Sequence, residues 1–161
     1  MGCHVASWPV ECRQMAKQGA RWHEYDEDPS AGVEGKAAVW SRVVRQVKVG
    51  FPYSRLAKFQ KDTQFSWEGI TVFVAIPQRT LNRRRAEGRL RPEESDRLWR
   101  GEAIFAMVVD LFDGDIAAAR EWLQTPQRGL GGQIPLDVAA TAVGAREIER
   151  LVGRLEHGVV A

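Results

Sequence analysis

Cysteine and histidine are scarce in this chain: two cysteines, Cys3 and Cys12, and three histidines, His4, His23 and His157, among 161 residues. Both cysteines fall in the first dozen positions, where a disulfide would close a small loop and staple nothing, so a reducing cytoplasm is the expected compartment. Cys3, His4, Cys12 and His23 lack the paired spacing of a structural zinc set, and no metal site is expected. No apolar run approaches the length of a membrane span. Trp8-Pro9-Val10 is interrupted by Glu11 and Arg13 where a signal peptide would need its apolar core. Convergent acid, base and nucleophile groups are also missing. Gly131-Gly132 has no strand before it and no Lys-Ser/Thr after it, so it is not a phosphate loop. Asp110, Asp113 and Asp115 sit near a helix end, where ordinary capping accounts for them. Neither catalysis nor a cofactor is expected.

What is present is an ordinary amount of core material, 44% hydrophobic residues, and an uneven spread of charge under a net charge of +2. Between Arg79 and Arg91 stand Arg79, Arg83, Arg84, Arg85, Arg89 and Arg91 against one carboxylate, Glu87. The stretch from Glu24 to Glu34 leans the other way, through Asp26, Glu27 and Asp28. A local basic patch on a near-neutral chain marks a binding face better than the overall charge does.

The apolar periods predict an all-α chain. Residues 1–36 have no clear period and read as a poorly ordered arm, with a short helix around Glu11–Arg21. From Ala37, Val39, Trp40, Val43, Val44 and Val47 recur at helical spacing until Gly50-Phe51-Pro52. A second amphipathic segment runs from Tyr53 to Thr63 with Leu56 and Phe59 inward. Ile70–Ile76 is β-branched enough to suggest a strand. Ser66 as N-cap, with Glu68 in the first turn, argues for a helix instead. Pro77 then leads into a helix over Gln78–Glu87, ended by Gly88. Pro92 opens a long helix with Glu93 and Glu94 behind it and Leu98, Phe105, Val108, Val109 and Phe112 as its stripe. Asp115 caps a short helix carrying Ile116, Ala119, Trp122 and Leu123. A Gly/Pro-rich loop covers Pro126–Pro135. The last helix buries Ile148, Leu151, Val152 and Leu155 and stops at Gly158.

Helix, turn and helix over Ser66–Glu87 place the second helix as a recognition helix, whose N-terminal residues would face base edges in the major groove. Gln78, Arg79, Thr80, Asn82 and Arg83 are the residue types that read bases, with Arg84, Arg85 and Arg89 available for phosphates. A solvated basic helix, or one facing an acidic protein, fits the same residues equally well.

Thr80-Leu81, Arg83-Arg84, Gly88, Leu90 and Glu94-Ser95-Asp96-Arg97-Leu98 form the first part of an ordered series. Ala118, Trp122-Leu123, Pro126, Leu130-Gly131-Gly132, Pro135-Leu136-Asp137, Thr141, Gly144 and Gly158-Val159 complete it. Together, over about Phe65 to Ala161, they resemble the Xre/MbcA/ParS-type toxin-binding antitoxins, partners of RES-domain toxins. The resemblance implies an Xre-like helix-turn-helix region over 37–91 followed by a small helical toxin-binding domain over 92–161. It also implies that substrate chemistry belongs to the partner, since RES-domain toxins resemble ADP-ribosyltransferases that use NAD. An antitoxin of this family neutralises its toxin by covering the NAD pocket. The residues placed against the toxin are Pro126, Arg128, Leu130, Gly131, Gly132 and Gln133 of the loop and Gly158, Val159, Val160 and Ala161 of the tail. Trp122, Leu123 and Leu136 are assigned to the domain's own core. At the turn before the second helix the family usually carries glycine, and this chain has Ala75-Ile76-Pro77.

Two function classes follow. One is an antitoxin, cytoplasmic, homodimeric within a toxin–antitoxin hetero-oligomer, with operator DNA as a second partner through Gln78, Arg79, Thr80, Asn82, Arg83 and Arg84. The other is a free-standing helix-turn-helix transcriptional regulator.

Overall fold

The computed structural model describes residues 33–158, with side chains from position 41 onward. The described chain is all-α, as its apolar periods require. Its helices are α1 (Val33–Val49), α2 (Tyr53–Thr63), α3 (Trp67–Phe73), α4 (Gln78–Glu87), α5 (Pro92–Leu111), α6 (Ile116–Gln124), α7 (Pro135–Val138) and α8 (Ala142–Glu156), with a 3-10 turn over Arg128–Leu130 between α6 and α7. No helix of the described residues is long and apolar enough to cross a membrane.

α5 is the spine. Leu98, Ile104, Phe105 and Val108 along it are all 1% exposed or less, and α1, α2, α6 and α8 pack around it. A helix buried on every side over its middle turns needs small residues where neighbours approach, and Gly101 lies against the ring of Phe73. Phe59 of α2, Phe65, Phe73 of α3 and Phe105 of α5 form one aromatic cluster with centroids 5.8–6.2 Å apart. Burying each such side chain stabilises the fold by roughly 1.5–3 kcal/mol. This cluster helps hold Ile70–Phe73 in α3 against their β-propensity, while Val74–Ile76 form the turn that follows. Ser66 supplies the local signal, its Oγ accepting from the Gly69 amide at 3.0 Å.

The core runs without a break from Val43 to Val152, so the boundary expected between 91 and 92 is not a gap in packing. A set of hydrogen bonds gathers just before it, and the Phe51–Ser95 bond crosses it. The Tyr53 amide donates to Gly88 O at 2.9 Å, the Leu90 amide to Phe51 O at 2.8 Å, and Arg89 Nη1 to Gly50 O at 2.6 Å. The ends of α1 and α4 and the start of α2 thus meet at one seam. Beneath it, Ser95 Oγ accepts from the Phe51 amide at 2.8 Å and donates to Arg91 O at 2.8 Å.

Some expectations need correction. α1 starts at Val33, so residues 33–36 are helical rather than part of the arm. The rest of the arm, including the helix expected around Glu11–Arg21, lies outside the described residues. Val44 was expected inward with Val43 and Val47, yet it is 46% exposed, because α1 offers α5 only the narrow side that carries the other two. Leu155, placed on the buried face of the last helix, is 39% exposed because it lies in the final turn, past the end of the packed stripe.

Candidate functional site

Two surfaces carry the residues singled out by the sequence. The first is α4. Gln78, Arg79, Asn82 and Arg83 are exposed along one side of it, Thr80 is half-buried, and Leu81 anchors the opposite side in the core. Gln78 Nε2 lies 3.3 Å from Asn82 Oδ1. Arg83 has only a distant contact with Glu87, 3.9 Å between solvent-exposed groups, which constrains it little.

Arg84 does not belong with them. It is 2% exposed, with Nε 2.7 and 3.0 Å from the two carboxylate oxygens of Glu94 and with Nη1 on Glu87. It faces inward because position 84 follows Leu81 by three residues and so shares the core-facing side of the helix. The expected phosphate or base contact is replaced by an internal brace between α4 and α5. Burial pushes the Glu94 carboxyl up, but hydrogen bonds from Arg84 and from the Arg91 amide at 2.7 Å outweigh it and hold the group below the usual carboxylate range.

Charge divides along the chain. From Ser41 to Arg91 there are twelve lysines and arginines against three carboxylates; from Pro92 to Gly158 there are seven against twelve. The segment bearing α4 is thus strongly cationic and the segment after it anionic, which the net charge conceals.

The second surface is the loop after α6. Its shape comes from Gln127, which sequence reasoning passed over. The Gln127 amide donates to Gln133 O at 3.0 Å, and Gln127 O accepts from the Gly132 and Leu130 amides at 2.9 and 3.0 Å. Its side chain donates to Trp122 O and Thr125 O at 3.1 and 3.0 Å. The loop closes on itself and is tied back to α6. Gly131 and Gly132, at φ +66° and +80°, make the reversal that side-chain-bearing residues would resist. Pro126, Arg128, Gly131, Gly132 and Gln133 are exposed, and Leu130 is half-buried against the core.

An open groove of about 710 Å³ adjoins this loop, with Leu130, Gln133, Ile134, Val138 and Val143 among its lining residues and Asp137 and Glu147 as its carboxylates. Its walls are close-set. Thr141 Oγ1 caps α8 by accepting from the Gly144 amide at 3.0 Å, and a Cβ added at Gly144 would lie 2.0 Å from Val138 O. Val143 is 74% exposed at the groove. Asp137 and Gly144 both belong to the family series, and the sequence marks neither as lining a groove. Nothing in a linear pattern marks a groove formed by three elements.

The expected toxin-facing residues are not all brought together. The loop adjoins the start of α8, while Gly158 follows its far end, about 21 Å of helical rise beyond Gly144. Val159, Val160 and Ala161 lie outside the described residues. Leu123 and Leu136 are buried as assigned, and Trp122 is half-buried against the core.

Residues 107–158, which span the loop, the groove and α8, match the family model described as the antitoxin Xre/MbcA/ParS C-terminal toxin-binding domain. Over 144 residues the chain is 36% identical to an antitoxin Xre of Yersinia enterocolitica, covering 89% of this chain and 92% of that protein. Over 113 residues it is 34% identical to an antitoxin Xre of Photorhabdus laumondii, covering 70% of this chain and 76% of that protein. An antitoxin Xre of Pseudomonas putida is 33% identical over 84 residues, 52% of each chain. With a relative matched across nearly its whole length, and with its own loop, groove and last helix inside the family's toxin-binding segment, this chain belongs to the Xre/MbcA/ParS antitoxin family.

Proposed function

We propose that this protein is a non-catalytic antitoxin that binds a RES-domain toxin and covers its NAD site. The observation that carries this reading is the self-locked loop Gln127–Gln133, which presents exposed Pro126, Arg128 and Gln133 beside an open groove within the segment matching the toxin-binding model. A loop fixed before binding loses little conformational entropy when a partner docks. The tail Gly158–Ala161, a run of small and aliphatic residues, supplies the second contact by entering the toxin's cleft.

The test is co-expression with the neighbouring toxin gene, reading growth and cellular NAD. Wild type restores both. Deleting Val159–Ala161 abolishes rescue if the tail blocks the site; if rescue persists, Arg128→Glu with Gln133→Arg abolishes it and the block belongs to the loop. A neighbouring product that is harmless when expressed alone overturns the reading in favour of a free-standing regulator.

A second activity, binding operator DNA and repressing the operon, is favoured by the charge division and by the exposed side of α4, where Gln78, Arg79, Asn82 and Arg83 stand clear of the core. Thr80 borders that side. Anisotropy titration with the protein's own promoter tests it. Absence of binding at low salt removes this activity and leaves the antitoxin reading untouched.

A further inference from the structure

The outer side of α1 has no role in either reading. Arg42, Arg45 and Lys48 recur every three residues and so share one side of the helix, opposite Val43 and Val47, which face the core. All three cations are exposed, and none has a carboxylate partner among the described residues. No carboxylate occurs in the sequence between Ser41 and Lys61. Cations on one helix face repel each other, and only Lys48, in the last turn, is favoured by the helix dipole. Such a row is best explained by an external polyanion.

The seam places this row beside α4. Arg89 Nη1 donates to Gly50 O, two residues past Lys48, and the Tyr53 amide holds Gly88 O, the residue that ends α4. The end of α1 that carries Lys48 therefore meets the end of α4 at Gly88 and Arg89, and Arg85 is one turn back along α4 from Arg89. Arg42 to Lys48 spans about 9 Å of helix rise. That length faces two to three phosphates of a strand advancing roughly 3.4 Å per nucleotide.

We propose that Arg42, Arg45 and Lys48 of α1 form a phosphate-binding strip that extends the nucleic-acid contact of α4 across the seam along a DNA backbone. This rests on the DNA-binding reading of α4. The strip carries no base-reading chemistry: it holds phosphates and raises affinity without sequence preference.

The experiment uses the full chain and two duplexes, its own promoter and a scrambled one, titrated by anisotropy from low to moderate salt. Arg42→Ala/Arg45→Ala/Lys48→Ala should lower the slope of log K against log salt by about two to three units. It should weaken both duplexes by the same factor, on the order of tenfold or more near 0.1 M salt. Arg42→Lys/Arg45→Lys should keep the wild-type slope, and the thermal midpoint of the triple variant should match wild type. Arg79→Ala/Arg83→Ala should instead lose preference for the promoter. A triple variant with wild-type slope and affinity overturns the strip while α4 binding stands. Absence of DNA binding by the wild-type chain at low salt overturns the strip and the DNA reading together.

Discussion

Arg84 near the end of α4 and Glu94 in the first turn of α5 form a buried ion pair, Nε to Oε2 at 2.7 Å, with side chains 2% and 7% exposed. Glu94 also accepts from the Arg91 amide, so one carboxylate fastens both the helix that precedes the Gly88 turn and the helix that follows it. The exposed side of α4 is braced against the spine by a residue that is itself buried.

Removing one member of this pair leaves the other charged and buried. Arg84→Ala is expected to cost about 3–5 kcal/mol of stability. Urea unfolding measures this, and a double variant Arg84→Met/Glu94→Leu should recover most of it. A loss below about 1 kcal/mol for the single variant would show that water reaches the site.

The same pair sets an acid limit. The Glu94 carboxyl is held below its ordinary range when folded, so its contribution is fully present above the unfolded value and disappears as pH falls through the folded one. The thermal midpoint should drop as pH is lowered below about 4. Glu94→Gln should be less stable than wild type at neutral pH, and the difference should shrink in acid. Parallel curves for the two proteins would assign the acid sensitivity elsewhere.

Ala75 stands at φ +49° in the turn between α3 and α4, a left-handed conformation that a Cβ disfavours. Ala75→Gly relieves that strain at the cost of a more flexible unfolded chain. The expected net gain is up to about 1 kcal/mol in chemical denaturation. A destabilised variant would mean that the Ala75 methyl contributes packing greater than the strain.

Gly144 has no room for a side chain, since an added Cβ would lie 2.0 Å from Val138 O and 2.7 Å from Val138 Cγ1. Gly144→Ala must push the start of α8 away from α7, at about 1–3 kcal/mol or more. Because this contact builds the groove wall, toxin affinity should fall with it. Val143→Ala, next door and exposed, should leave the thermal midpoint unchanged. A Gly144→Ala variant as stable as wild type would overturn the close approach of α7 and α8 as a packing constraint.

Local rules explain most of the helix ends. Pro52 before Tyr53, Ser66 before Trp67, Pro92 at the first position of α5 and Asp115 before Ile116 all start helices where their chemistry predicts. Asp115 Oδ1 accepts from the Ala117 and Ala118 amides at 2.9 and 3.0 Å. The amphipathic face of α2 was equally legible, since burial there follows spacing alone. The β-branched α3 was legible only through its cap. Val44 and Arg84 were not, because a pattern gives the residues that share a side but not how wide a strip the neighbouring helix covers.

The sequence by itself determined an all-helical chain, its helix starts and stops, a cationic α4, and the family series from Phe65 onward, all of which depend on neighbours within a few turns. Tertiary structure decided which of those cations are free. It turned Arg84 inward to Glu94, brought α1 to the end of α4 through Arg89 and Gly50, and assembled a groove from the Gln127 loop, α7 and α8. These outcomes depend on which surfaces meet across long separations in the chain, and a buried ion pair or a shared seam forms only where packing has already excluded water.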